Sequence, residues 1–204
     1  MKIGVLGGTF DPIHLGHFVV AEEVRAKLGL AEVLFVPAGQ PWLKASRPIS
    51  PAKHRVEMVN LAIAGNPHFK LSTSEVDRPG PSYTVDTIHI LQQQLGSEAK
   101  LFFLLGSDAL SELLQWKEPW RLIQICQLVA FTKPGFTLPS LELLESVIPG
   151  LSQHVTFVEV SQIDISATVI RSRVVQGASI HWLVPQAVER YILEQGLYLT
   201  TSPA

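Results

Sequence analysis

Gly7-Gly8-Thr9-Phe10-Asp11-Pro12-Ile13-His14-Leu15-Gly16-His17 follows an apolar run at 2–6 and leads into a helix-like stretch at 15–28. A strand, a tight glycine turn and a helix start make an anion-receiving arrangement. The first backbone N–H groups of such a helix face the turn, and the helix dipole favours negative charge there. His14 and His17 stand about one helical turn apart, and both imidazoles can donate to phosphate oxygens. The segment predicts a nucleotide triphosphate site in which imidazoles take the role of a P-loop lysine. It is not itself a P-loop, because G-x-x-x-x-G-K-[ST] is absent, and neither is it G-x-G-x-x-G. Two plainer alternatives are an ordinary glycine turn with surface histidines, and a zinc site made of both imidazoles and Asp11. Asp11-Pro12 suits a turn-setting role better than a catalytic one.

Outward from this segment, short apolar runs at 2–6, 32–37, 69–73, 101–105, 128–132 and 155–160 read as strands. Helix candidates at 15–28, 51–64, 84–95, 109–115 and 138–147 lie between them. The alternation predicts an α/β protein with a parallel sheet covered by helices. Ser50-Pro51 reads as a helix start, with Ser as N-cap and Pro as the first helical residue. Beyond Val160 the pattern changes to two helices at 166–176 and 185–195, each followed by glycine, Gly177 and Gly196. Proline and glycine concentrate at 37–51, 79–81 and 133–139. These read as site-forming loops, since open α/β sheets bind ligands beyond the carboxyl ends of their strands.

The chain has 204 residues, 47% hydrophobic and 17% charged, enough apolar content for a sizeable core and little tendency to disorder. Its length fits one domain over 1–204, with a small C-terminal helical part at about 163–200. A net charge of -2 argues against nucleic-acid binding by the whole surface, so an anionic ligand must be held by a few local cations. The single cysteine, Cys126, lies in an apolar run and reads as a buried core thiol rather than a nucleophile. No apolar run approaches the roughly 18 residues of a membrane span. The chain opens on a core strand without a signal-like segment, which predicts a cytoplasmic location. Exposed helix faces carry no heptad pattern that would specify a partner, leaving a homo-oligomer open.

Three further constellations carry chemistry. In Ile165-Ser166-Ala167-Thr168-Val169-Ile170-Arg171, Ser166 is an N-cap candidate before free N–H groups. The planar Arg171 fork could reach the same phosphate chain. The plainer alternative is a capped surface helix with an exposed arginine, and Arg173 reads as a solvated charge. In Leu105-Gly106-Ser107-Asp108, glycine permits close ligand approach and Asp can accept from hydroxyls, or Ser107 and Asp108 simply cap the next helix. Pro81-Ser82-Tyr83-Thr84 opens a helix, while Trp116 serves either a ligand ring or core packing.

His14-Leu15-Gly16-His17 resembles the H-x-G-H signature of a nucleotidyltransferase superfamily. Gly-Gly-Thr-Phe-Asp-Pro with histidine at 14 is similar to the bacterial nicotinate mononucleotide adenylyltransferases within it. Ile165–Arg171 resembles the family's I-S-[ST]-x-x-R, Gly106–Asp108 its Gly-x-Asp, and Pro81–Thr84 its P-S-Y-T. The end Gly196-Leu197-Tyr198 resembles the family's ending and reads as a structural cap. The resemblance implies a Rossmann-like, doubly wound, mainly parallel sheet with helices on both faces. It implies ATP binding by Gly7, Gly8, Thr9, Phe10, Gly16, Gly106, Asp108, Ile165, Ser166 and Thr168, and catalysis by His14, His17 and Arg171. Nicotinate mononucleotide as acceptor falls to Tyr83, Thr84, Trp116, Lys44 and Lys133. Two departures stand out: Trp42-Leu43 replaces the usual Pro-His before Lys44, and Lys133-Pro134-Gly135 replaces Arg-Pro-Gly.

The implied reaction is adenylyl transfer from ATP, with Mg²⁺ on the ATP phosphates rather than in a protein cage. A phosphate monoester is already an anionic nucleophile, so positioning and charge stabilisation suffice. The rivals are the same chemistry on nicotinamide mononucleotide or pantetheine phosphate, and a non-catalytic nucleotide sensor on the same fold.

Overall fold

Neighbouring residues along the central strands point into two different cores. Leu6, Val33, Phe35, Val129 and Phe131 lie in one cluster, and Val5, Leu34, Val36, Leu128 and Ala130 in the other. A strand buried on both faces needs helices on both sides, and that is what the computed structural model shows. It describes residues 1–42, 48–132, 140–161 and 163–199.

The strands are β1 (Lys2–Gly8), β2 (Glu32–Pro37), β3 (Phe69–Leu71), β4 (Lys100–Gly106), β5 (Gln127–Phe131) and β6 (Val155–Val158). They form one six-stranded parallel sheet in the order β3-β2-β1-β4-β5-β6. Helices α1 (Leu15–Leu28) and α2 (Ala52–Ile63) cover one face. They are joined there by α8 (Ala167–Val175) and α9 (Gln186–Glu194), which bury Ile170, Val174, Val188 and Ile192 in the same cluster. The other face carries α3 (Thr84–Leu95), α4 (Ser107–Ser111), α5 (Pro119–Ile125), α6 (Leu141–Val147) and α7 (Leu151–His154). The winding direction reverses between β1 and β4, the switch point at which open α/β sheets leave a crevice beyond the strand ends.

The expected strands and long helices are present, with differences at several ends. β3 stops at Leu71 and β6 at Val158. The helix expected at 109–115 is α4 followed by a separate 3₁₀ turn, Leu113–Gln115. Neither α5 nor α7 is apparent from periodicity, being seven and four residues long. Helix α2 starts one residue later than expected: Pro51 is its N-cap and Ser50 lies outside. The Ser50 N–H is taken by Asp11 Oδ2 at 3.2 Å and its carbonyl by Arg55 Nε at 2.9 Å. Cys126 is buried, donates to Leu122 O, and burial pushes its thiol up to about 12, as a core thiol requires. Among the described residues no helix is long and apolar enough to cross a membrane.

Candidate active site

The turn after β1 is built from the inside outward. Phe10, buried and at a positive φ of 49°, sets its ring edge-on to His17 at 5.0 Å and against Phe35 at 6.0 Å. Its side chain is thus a wedge beneath the histidine, and any contact between Phe10 and a nucleotide falls to its backbone. His14 is the N-cap of α1, and its N–H donates to His17 Nδ1 at 3.1 Å. With Nδ1 accepting, the His17 proton sits on Nε2, the atom that can donate to an incoming phosphate. The two imidazole rings lie 3.7 Å apart. A Cβ on Gly16 would meet the His14 ring at 3.2 Å, so glycine there lets the pair close up.

The helix start is less open than expected from sequence. The Leu15 N–H is capped by Leu183 O at 3.0 Å and the His17 N–H by His14 O at 3.0 Å. The imidazoles must carry more of any anion binding than the helix end does.

Asp11 is a hub of hydrogen bonds. Its Oδ1 accepts from the Tyr198 hydroxyl at 2.8 Å, its Oδ2 from Ser50 N–H, and its carbonyl from Arg171 Nη1 at 2.7 Å. Both carboxylate oxygens therefore serve the fold. Among the described residues no three His, Cys, Asp or Glu side chains are placed to hold a metal. Burial and the charge of Asp11 push the Tyr198 phenol far up, so it stays a donor.

Arg171 brings the second motif to the first across 160 residues of chain. Ser166 caps α8 by accepting from Val169 N–H at 3.3 Å, and Arg171 Nη2 also reaches Thr168 Oγ1 at 3.4 Å. The approach to α8 is clamped onto α1: Glu23 accepts from Ser161 N–H at 3.1 Å, and Lys27 donates to Glu159 O. Ile165 O lies 3.9 Å from where a Gly16 Cβ would stand, so the two motifs abut. Arg173 is not simply solvated, since its Nε donates to Ser179 O at 2.7 Å. Gly106, paired with Phe131 in the sheet, ends β4 as the N-cap of α4. Ser107 and Asp108 are its first two residues, so neither is the cap; Asp108 sits where the helix dipole favours a negative charge.

On the far side of β2, the Tyr83–Thr84 segment opens α3. Trp42 packs on Tyr83 at 5.7 Å, and Lys117 Nζ stands 4.9 Å over the same ring while pairing with Asp86 at 3.1 Å. Trp116, next in chain to Lys117, sets its ring edge-on to Phe103 at 5.9 Å. Its buried indole N–H has no acceptor among the described residues. Tyr83 and Trp116 are both partly buried and pack on the apolar cluster beneath α3, α4 and α5. Lys44 and Lys133 lie outside the described residues.

Sequence reasoning missed Arg55 and Glu75. Arg55 is 2% exposed, and besides Ser50 O its guanidinium donates to Thr9 O (2.9 Å), Ala38 O (2.6 Å) and Gly39 O (3.4 Å). A signal was present: Arg55, Met58, Val59 and Ile63 share the buried face of α2, so the arginine stands on the apolar stripe. Glu75 is buried and accepts from Thr87 Oγ1 at 2.6 Å; burial raises its pKa, and bonds from Thr87 and Ser82 oppose the rise.

A doubly wound parallel sheet with a histidine-bearing glycine turn at its switch point is the nucleotidyltransferase type of α/β fold. The family model described as cytidylyltransferase-like matches residues 5–173. A Dehalococcoides mccartyi protein named "Probable nicotinate-nucleotide adenylyltransferase" is 44% identical over 198 residues, 97% of each chain. One of the same name from Thermomicrobium roseum is 45% identical over 98% of this chain and 92% of its own. The chain belongs to the cytidylyltransferase-like family and, within it, to the nicotinate-nucleotide adenylyltransferases. The fold is shared with Plasmodium falciparum nicotinic acid mononucleotide adenylyltransferase complexed with NaAD, at a TM-score of 0.77, 18% identity and 97% coverage of both chains.

Proposed function

We propose that this protein joins ATP to nicotinate mononucleotide, giving nicotinate adenine dinucleotide and pyrophosphate in NAD synthesis. The observation that carries the mechanism is the Arg171–Asp11 bond, which sets a guanidinium beside the turn that presents His14 and His17. Mg²⁺ held by the ATP phosphates would neutralise part of their charge. A phosphate oxygen of the mononucleotide forms a bond to the α-phosphorus, and the bond to the bridging oxygen of pyrophosphate breaks. The His17 Nε2–H, the His14 ring and the Arg171 fork meet the charge that develops on the leaving pyrophosphate. Gly7, Gly8, Thr9 and the backbones of Phe10 and Gly16 form the floor of the phosphate site. Ile165, Ser166 and Thr168 form its wall, with Gly106 and Asp108 toward the ribose. Tyr83, Thr84 and Trp116 hold the pyridine end, and Lys44 and Lys133 supply charge for the phosphates. Such substrates belong to the cytoplasmic nucleotide pool.

The test is pyrophosphate release from ATP and Mg²⁺ with nicotinate mononucleotide, nicotinamide mononucleotide and pantetheine phosphate supplied separately. Release with the nicotinate acceptor at a kcat/KM well above the other two is expected. Preference for another acceptor overturns the acceptor assignment, and ATP binding without release for any of them supports a sensor instead.

A further inference from the structure

We propose that Arg55 is a positioning residue that couples the ATP half of the site to the acceptor half; this rests on the adenylyl-transfer reading above. A buried guanidinium is costly unless its donors are met. Arg55 meets them with carbonyls from three separate segments: Thr9 in the histidine-bearing turn, Ala38 and Gly39 at the exit of β2, and Ser50 before α2. At 2% exposure it touches no substrate and acts through those segments.

The chain of bonds continues to the acceptor side. Gly39 N–H and Gln40 N–H both donate to Ser82 Oγ, at 2.9 and 3.1 Å, and Ser82 N–H returns a bond to Gln40 O at 2.9 Å. Ser82 directly precedes Tyr83 and Thr84, and its hydroxyl also bonds the buried Glu75. The contact is tight, since a Cβ on Gly39 would overlap the Glu75 carbonyl. One guanidinium thus fixes the height of the phosphate turn against the strand exit on which the Tyr83 segment hangs. In-line attack needs both substrates held within a fraction of an ångström, and a misplacement of about 1 Å can cost about 100-fold. Lysine cannot replace this fork, having one point of charge for four carbonyls in different directions.

The experiment uses Arg55→Lys, Ser82→Ala and the double variant of the full chain, with steady-state kinetics and amide hydrogen exchange. In Arg55→Lys, kcat/KM is expected to fall about 10- to 100-fold for ATP and for the acceptor alike. Exchange is expected to rise together at 9–13, at 38–42 and at 82–84. Ser82→Ala cuts the same chain at a partly exposed link that does not endanger folding. The double variant is therefore expected to lose less than the product of the single losses. Losses that multiply, or faster exchange confined to one side of the site, overturn the coupling. If Arg55→Lys does not fold, Ser82→Ala alone decides: acceptor KM raised with kcat also lowered supports coupling, and raised KM with full kcat overturns it. Wild-type turnover decides the parent reading separately, because the exchange pattern needs no turnover.

Discussion

Replacing Tyr198 by phenylalanine removes the hydroxyl that ties the segment after α9 to Asp11 in the catalytic turn, with a weaker contact to Met58 Sδ at 3.9 Å. The ring and its packing against the α1/α2/α8/α9 core stay, and only the hydroxyl that donates to Asp11 Oδ1 at 2.8 Å is lost. The Asp11 carboxylate then keeps the backbone N–H of Ser50 at 3.2 Å. A hydrogen bond to a charged group contributes about 1.5–3 kcal/mol net, and partial exposure of Tyr198 places this one near the lower end, about 1.5–2 kcal/mol. For a chain of this size each kcal/mol moves the melting temperature by about 2–4 °C, so the fall is about 3–8 °C. Because the Asp11 carbonyl anchors Arg171, loosening the turn also raises the KM for ATP and lowers kcat severalfold. Urea unfolding at pH 7, paired with steady-state kinetics, reads both effects. A Tyr198→Phe protein within about 0.5 kcal/mol of wild type, with unchanged ATP kinetics, would refute the claim that the C-terminal segment holds the turn.

Three other perturbations address the site from different sides. His17→Ala is expected to lose about two orders of magnitude or more in kcat while keeping its far-UV dichroism, in line with removal of one charge-stabilising donor; near-normal turnover would remove the histidine from the mechanism. Gly39→Ala forces a Cβ onto the Glu75 carbonyl, so it should destabilise by about 1–3 kcal/mol and raise acceptor KM more than ATP KM; unfolding curves and substrate titrations check both. Glu75→Gln tests the buried carboxyl. Its folded pKa lies above the ordinary 4.5, so the native state binds that proton more tightly than the unfolded chain. Its favourable contribution is complete below pH 4.5 and is lost as pH rises through the folded value. Wild type should therefore lose stability relative to Glu75→Gln as pH rises above 4.5 in urea unfolding, and a gain on raising the pH would contradict the assignment.

The sequence made some of this legible and hid the rest for physical reasons. The glycine turn, the six strands and the long helices announce themselves because periodicity and capping are local. Ser166 caps α8 as expected, and Gly177 and Gly196 follow the last two helices in left-handed conformations. Tertiary partners are not local. Leu183 takes the Leu15 N–H that a free helix end would offer an anion. Asp11 takes the Ser50 N–H, which moves the start of α2. Arg55 is not picked out by a reading of the sequence, because no local rule says which carbonyls will surround a guanidinium, although its place on the apolar stripe of α2 is visible there. The short helices α5 and α7 form because the sheet beneath them needs cover at Leu122, Ile123 and Leu151, a demand that a window of four to seven residues does not reveal.

The most direct test of the central claim follows the label from ATP carrying radioactive phosphorus at the α or, separately, the γ position, with nicotinate mononucleotide and Mg²⁺. Attack at the α-phosphorus predicts that α-label enters the dinucleotide one for one with pyrophosphate formed, while γ-label appears in pyrophosphate alone, and that His17→Ala suppresses both together. Transfer of γ-label to the acceptor, or pyrophosphate release without labelled dinucleotide, would contradict it.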